Sequence, residues 1–146
     1  MKNGMLAEFG DYIRRLELSD DEVKIGLHEN VINNNSLEFD IQIYSIMNRK
    51  FICVMKCIES EPEKIYFDIY GIGRIKEMST GLLIQLNLCN EICDDKVFID
   101  KENNLVMRSF TTIQSVGEEQ CEWILGAISM TLAHATIVYE NLISFL

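Results

Sequence analysis

The run Phe51-Ile52-Cys53-Val54-Met55-Lys56-Cys57-Ile58 is followed by Glu59-Ser60-Glu61-Pro62-Glu63, and then by Ile65, Phe67 and Ile69 at every second position. Apolar residues rich in β-branched and aromatic types suit a pleated, half-buried strand, and the acidic stretch with its proline suits a turn. So short a connection cannot make the crossover that a parallel pair needs, so the two strands are antiparallel neighbours. Upstream, Leu37, Phe39, Ile41 and Ile43 alternate in the same way, with Asn48-Arg49-Lys50 as the connection. Val23, Ile25 and Leu27 alternate before the turn-forming Asn33-Asn34-Asn35-Ser36. The middle of the chain therefore reads as an antiparallel β meander.

Helical spacing brackets this meander. Leu6, Phe9, Ile13 and Leu16 fall on one face of a helix over Met5 to Leu16. After Gly71-Ile72-Gly73, read as a strand-to-helix turn, the period changes. Ile75, Met78, Leu82, Leu86, Cys89 and Cys93 then predict a second helix of about five turns. Val97 to Ile99 and Leu105 to Ile113 flank Asp100-Lys101-Glu102-Asn103-Asn104 as a hairpin, and a last helix runs from Glu118 nearly to the end. No repeat or linker divides the 146 residues, so residues 1–146 are expected to form one two-layer α+β domain with three helices.

With 48% hydrophobic and 25% charged residues and a single proline, the composition fits a globular chain and excludes a disordered or collagen-like one. There are 13 Lys and Arg against 23 Asp and Glu, a net charge of −10, which disfavours nucleic acid and anionic membranes as partners. Glu8, Asp11, Arg14, Arg15 and Glu17 interrupt the apolar run that a secretory signal requires, which predicts a cytoplasmic protein. Five cysteines, Cys53, Cys57, Cys89, Cys93 and Cys121, lie in apolar stretches, as reduced core thiols do. Trp123 to Tyr139 carries no formal charge, but its Ser129, Thr131, His134 and Thr136 and the glutamates at its flanks argue against a membrane span.

The last helix bears on association. Cys121, Leu125, Ile128, Leu132, Ala135, Tyr139, Leu142 and Leu146 follow a four-three spacing, and Trp123, Ala127, Met130 and Ile137, with His134 among them, form a second line. A helix apolar on more than one side needs more than one cover. One side is expected on the chain's own sheet, and the other on the second helix or on a second copy of the chain. Trp123, Leu125, Ile128, Leu132, Ala135, Tyr139 and Leu142 are the candidate homodimer interface, with Leu132→Glu expected to give a monomer or an insoluble chain.

No catalytic, cofactor-binding or metal-binding residue is assigned. Cys53 and Cys57, four apart on a strand, lie about 13 Å apart and cannot chelate one ion. Cys89 and Cys93 share a helical face and could supply half a zinc site, but Cys121, His28 and His134 have no spacing that completes it. His28 is expected on a solvated strand face, and His134 as a buried imidazole satisfied by one hydrogen bond. Neither has a nucleophile and carboxylate at a motif spacing. Gly71-Ile72-Gly73 lacks the third glycine of a phosphate-binding turn, because position 76 is Lys76. The acidic clusters Asp20-Asp21-Glu22, Glu59 to Glu63 and Asp94-Asp95 lack EF-hand spacing and read as solvated loops.

Leu82-Leu83-Ile84-Gln85-Leu86-Asn87 continuing to Asn90, Val97-Phe98-Ile99-Asp100 with Leu105-Val106-Met107-Arg108, and Val116-Gly117-Glu118-Glu119-Gln120 together resemble the YbjN-like proteins, whose domain is similar to that of type III secretion chaperones. The resemblance spans roughly residues 5–146. It implies a two-layer α+β domain, often dimeric, that binds another protein and lacks enzymatic activity; YbjN-like members are described as regulators, and the secretion relatives hold an extended client segment. Exposed strand edges of the meander would suit such a segment. The chain departs from the family in its very apolar last helix and its additional strand at Val23 to Leu27. The leading expectation is a non-enzymatic, homodimeric protein-binding module without cofactor. The alternatives are a small-molecule binder or enzyme with a pocket between sheet and helices, and a subunit of a larger assembly.

Overall fold

The computed structural model describes residues 2–17, 23–27, 36–43, 49–92, 95–114 and 117–146. Helix α1 (Lys2–Glu17) precedes β1 (Val23–Leu27), β2 (Ser36–Ile43), β3 (Phe51–Ile58) and β4 (Glu61–Arg74). Then come α2 (Thr80–Ile92), β5 (Lys96–Ile99), β6 (Asn104–Thr112) and α3 (Glu118–Leu142), which ends in a 3-10 turn at Ile143–Phe145. The strands form one antiparallel sheet in the order β1-β2-β3-β4-β6-β5. The α+β architecture and its element order are those read from the sequence.

Cross-strand register explains which side the helices cover. Phe39, Cys53, Ile69, Met107 and Val97 are successive partners across five strands, and each is buried. Leu37, Met55 and Phe67 make a parallel buried row beside it. Because side chains alternate along a strand, the same register places Val54, Asp68, Arg108 and Lys96 in one row on the opposite face. Helix α1 lies over β1 to β3, with the Phe9 ring tilted against that of Phe39 at 5.8 Å between centres, and α3 lies over β4 and β6. Helix α2 packs between α3 and β5.

The second helix is shorter at its start than the apolar spacing implies. Its first turn is capped by Ser79, whose Oγ accepts from the Leu82 amide at 3.1 Å while its carbonyl accepts from the Leu83 amide. Ile75 and Met78 therefore precede the helix. The Ile75 amide donates to the Asn103 carbonyl and the Lys76 amide to the Phe145 carbonyl, so that segment is tied to the hairpin and to the C-terminus. Pro62 also lies inside β4, one residue after the two-residue turn at 59–60, and Cys93 lies outside the described residues.

Gly71-Ile72-Gly73 is not a strand-to-helix turn but a bulge within β4. Between the pairs Ile69↔Met107 and Gly73↔Leu105, β4 has two more residues than β6. The bulge turns Ile72 into the core, at 1% exposure, and requires Gly71 at φ 96°. A Cβ at Gly71 would stand 3.0 Å from the Lys50 carbonyl and 3.3 Å from the Phe51 Cα, both backbone atoms. Gly71→Ala is accordingly expected to lower stability by about 1–3 kcal/mol in urea unfolding. An unchanged midpoint would show that the bulge relaxes without cost.

Candidate functional site

On the sheet face that points away from the helices, the part built on β3 to β6 is centred on a charged cluster. Asp68, 1% exposed, accepts from Arg108 Nε at 2.7 Å, Arg108 Nη2 at 2.9 Å and Lys56 Nζ at 3.1 Å. Burial alone would push its carboxyl pKa up. The hydrogen bonds and charges of Arg108 and Lys56 more than reverse that and hold it below the ordinary value. The Arg108 guanidinium also lies 4.9 Å from the Phe98 ring centre. In the adjoining row the Tyr66 and Phe110 rings stand 5.6 Å apart, with Lys64 Nζ 4.5 Å from the centre of Phe110. The Tyr66 hydroxyl donates to Glu61 at 2.6 Å and Lys64 Nζ donates to its other oxygen at 3.2 Å, which together hold Glu61 below its ordinary pKa. Lys56, Ile58, Glu61, Tyr66, Asp95, Lys96, Arg108, Ser109 and Phe110 line an open groove of about 790 Å³ along this face.

Helix α3 presents two different surfaces. Ile128, Leu132, Ala135 and Leu142 are fully buried on the sheet, along with Cys121, Ile124 and Val138. Leu125 packs against the same core, and Tyr139 does so beneath Arg49, whose guanidinium lies 5.1 Å from its ring centre. Of the seven side chains expected at an interface, Trp123 is the one that is exposed, at 55%, with its Nε1 donating to Thr111 Oγ1 at 2.8 Å. The four-three row is therefore the inner face of α3. Spacing identifies an apolar face but does not say whether a sheet or another chain covers it. From Glu118 to Phe145 the chain is long and apolar enough to cross a membrane, yet its inner row is used as core.

Both helices next to the β5 edge keep apolar side chains in water. Met130 is 65% exposed and Ile137 38%, and on α2 the exposed set is Leu83, Ile84, Leu88 and Ile92. Isolated exposed leucines are ordinary, whereas several apolar side chains on two packed helices make a surface that association would cover.

The edge at β5 is less available than a plain meander suggests. Asn90 on α2 bonds both main-chain groups of Val97, accepting from its amide at 2.7 Å and donating to its carbonyl at 3.0 Å, so it stands where another strand would pair with β5. The pairing of β5 with β6 ends at Lys96↔Arg108, and beyond it the buried Gln120 accepts from the Gln114 amide and donates to the Thr112 carbonyl. An extended segment is thus blocked from these edge positions by two side-chain amides. Asp100 closes the β5–β6 hairpin, its Oδ1 accepting from the amides of Glu102 and Asn104. Asn90, Asp100, Arg108 and Gln120, all within the stretches that carry the family resemblance, prove to be parts of the scaffold.

His134 is partly buried, and its Nδ1 lies 2.5 Å from Asp95 Oδ2; Thr131 Oγ1 donates to the other carboxylate oxygen at 3.3 Å. Asp95 is 7% exposed, not a solvated loop residue, and it fastens the start of β5 to the middle of α3. Residues 95 and 134 have no motif spacing, so sequence reading had no signal for this pair. It holds an imidazole as catalytic dyads do, but no nucleophile bonds it among the described residues, and the geometry reads as a clamp. No group of three His, Cys, Asp or Glu side chains that could hold a metal occurs among the described residues. Cys53, Cys57, Cys89 and Cys121 are buried, and burial raises the Cys121 thiol to about 11. His28 and Asp20 to Glu22 lie outside the described residues.

No family model matches the chain, and no curated protein matches it. Among solved structures it is similar to a chain of the heterodimeric ExoU-SpcU complex from the type III secretion system of Pseudomonas aeruginosa, at 17% identity and a TM-score of 0.37, over 92% of this chain and 97% of that one. At that score the likeness assigns neither function nor partner to this chain.

Replacing Asp68 by Asn removes the ionised partner of Arg108 and Lys56 and is expected to cost about 2–3 kcal/mol at pH 7. A carboxylate with a depressed folded pKa contributes fully above its unfolded pKa of about 3.9, and the contribution is lost as pH falls through the folded value. The gap between wild type and Asp68→Asn in urea unfolding should therefore narrow towards acid. A gap independent of pH would contradict the ionised cluster.

Proposed function

We propose that this chain is a cytoplasmic, non-enzymatic protein-binding module of chaperone-like or regulatory type that pairs with a second copy of itself through the outer sides of α2 and α3. The observation that supports the reading is the exposed apolar set Leu83, Ile84, Leu88, Ile92, Met130 and Ile137 on two helices packed side by side. Water in contact with such a surface is expelled by association, at about 25 cal/mol per Å² of apolar area covered. A stable pair needs about 800 Å² from each partner. The face for a client is then the uncovered sheet, while the core between sheet and helices is filled by Phe9, Phe39, Phe51 and Phe67, each at most 2% exposed. A small-molecule pocket between sheet and helices is for that reason not the reading adopted.

The interface is expected to respond to residues outside the inner row. Ile84→Glu combined with Met130→Glu alters two exposed side chains, so the variant should remain folded by circular dichroism and sediment at one chain mass, 16.9 kDa, while wild type sediments at twice that. Leu132→Glu, by contrast, puts a charge where exposure is 0% and should unfold the chain rather than separate a pair. A wild-type chain that is monomeric at every concentration, or a double variant with unchanged mass, would overturn the pairing.

A further inference from the structure

We infer that the groove on the open face of β3 to β6 takes an extended acidic peptide segment in which a carboxylate and an aromatic or large apolar side chain are two residues apart. The inference rests on the protein-binding reading above and names the client's chemistry.

Charge is the first support. The chain carries 23 acidic and 13 basic side chains, yet Lys56, Lys64, Lys96 and Arg108 converge on this one face. The carboxylates among them are already engaged: Asp68 lies beneath Arg108 and Lys56 at 1% exposure, Glu61 holds Tyr66 and Lys64, and Asp95 turns to Thr131 and His134. Asp68 and Asp95 are buried, so of the acidic groups Glu61 alone, with its side chain 36% exposed, meets the solvent beside Lys56, Lys64, Lys96 and Arg108, and the groove keeps a cationic excess on an otherwise acidic protein. At the far side of the sheet the open face changes sign, with Glu38 and Asp40 on β2 and Lys50 bonded to Asp40.

Spacing is the second support. Along β6, Arg108 and Phe110 project from the same face two residues apart, and Phe110 is 49% exposed beside Ile58 at 39%. Same-face residues of an extended chain recur about every 7 Å, so a segment laid along β6 sets a carboxylate against Arg108 and Lys96 and a ring against Phe110 in one register. At the β5–β6 end of the sheet, where the groove lies, Asn90 and Gln120 occupy the edge positions, so a segment arriving there meets the face. A nucleic acid offers anions and rings too, but its charge density meets a chain of net −10, and a peptide is the better match.

The test uses the full chain and a fluorescein-labelled random copolymer of glutamate and tyrosine, with polyglutamate, a lysine–tyrosine copolymer and single-stranded DNA as comparisons, read by fluorescence anisotropy. Saturable binding of the glutamate–tyrosine copolymer is expected, stronger than polyglutamate and weakened by salt. It should fall at least about tenfold in Lys64→Glu with Lys96→Glu, and likewise in Phe110→Ser. No saturable binding, binding unchanged in those folded variants, or equal binding of the lysine copolymer or DNA would overturn the inference. Sedimentation of the same samples separates the two claims: a pair that ignores the copolymer sinks this one alone, and a monomer sinks the pairing.

Discussion

A sheet with helices on one side only must bury one face and make the other acceptable to water, and this chain resolves that asymmetry with its register. The row Phe39, Cys53, Ile69, Met107 and Val97 gives α1 and α3 their seat. A slip of one residue in any strand would exchange that row for Val54, Asp68, Arg108 and Lys96 and place charges in the core. The positive φ at Gly71 and the two extra residues around it keep the register by returning Ile72 to the buried side. The core, the groove on the open face and the exposed helical faces all depend on that single choice of side.

Burial of Asp68 is tolerated because two cations lie across it, and those cations in turn are held flat on the strands instead of sweeping through solvent. An ion cluster of this kind adds little net stability over a well-packed apolar row, since desolvation opposes the attraction. What it supplies is a fixed arrangement of positive charge on an acidic molecule. The amides of Asn90 and Gln120 act in the same spirit at the β5–β6 end of the sheet, where unpaired main-chain groups would otherwise invite other strands.

Most of the fold was legible in the sequence because alternation and the three-four spacing report directly on a face being apolar. The antiparallel order of β2 to β4, the hairpin and the long last helix follow from that pattern. The start of α2 did not, since Ile75 and Met78 continue the spacing by coincidence while Ser79 sets the cap. The bulge at Gly71 was hidden because glycine before a helix looks the same as glycine within a strand. Leu132 and Ala135 read as interface because periodicity shows an apolar side without naming its cover. The exposed side is carried by Met130, Ile137 and the α2 residues, and only the packing of three elements separates these from the core. Asp95 with His134, and Asp68 with Arg108, are 39 and 40 residues apart, so no local motif announces them.

The most direct measurement is the oxidation rate of individual methionines under hydroxyl-radical footprinting at low and high protein concentration. Met130, 65% exposed in the single chain, should approach the slow rate of the buried Met107 as concentration rises. Should Met130 oxidise at the same fast rate at every concentration, the outer face of α3 faces water alone and the account of how this chain associates is wrong.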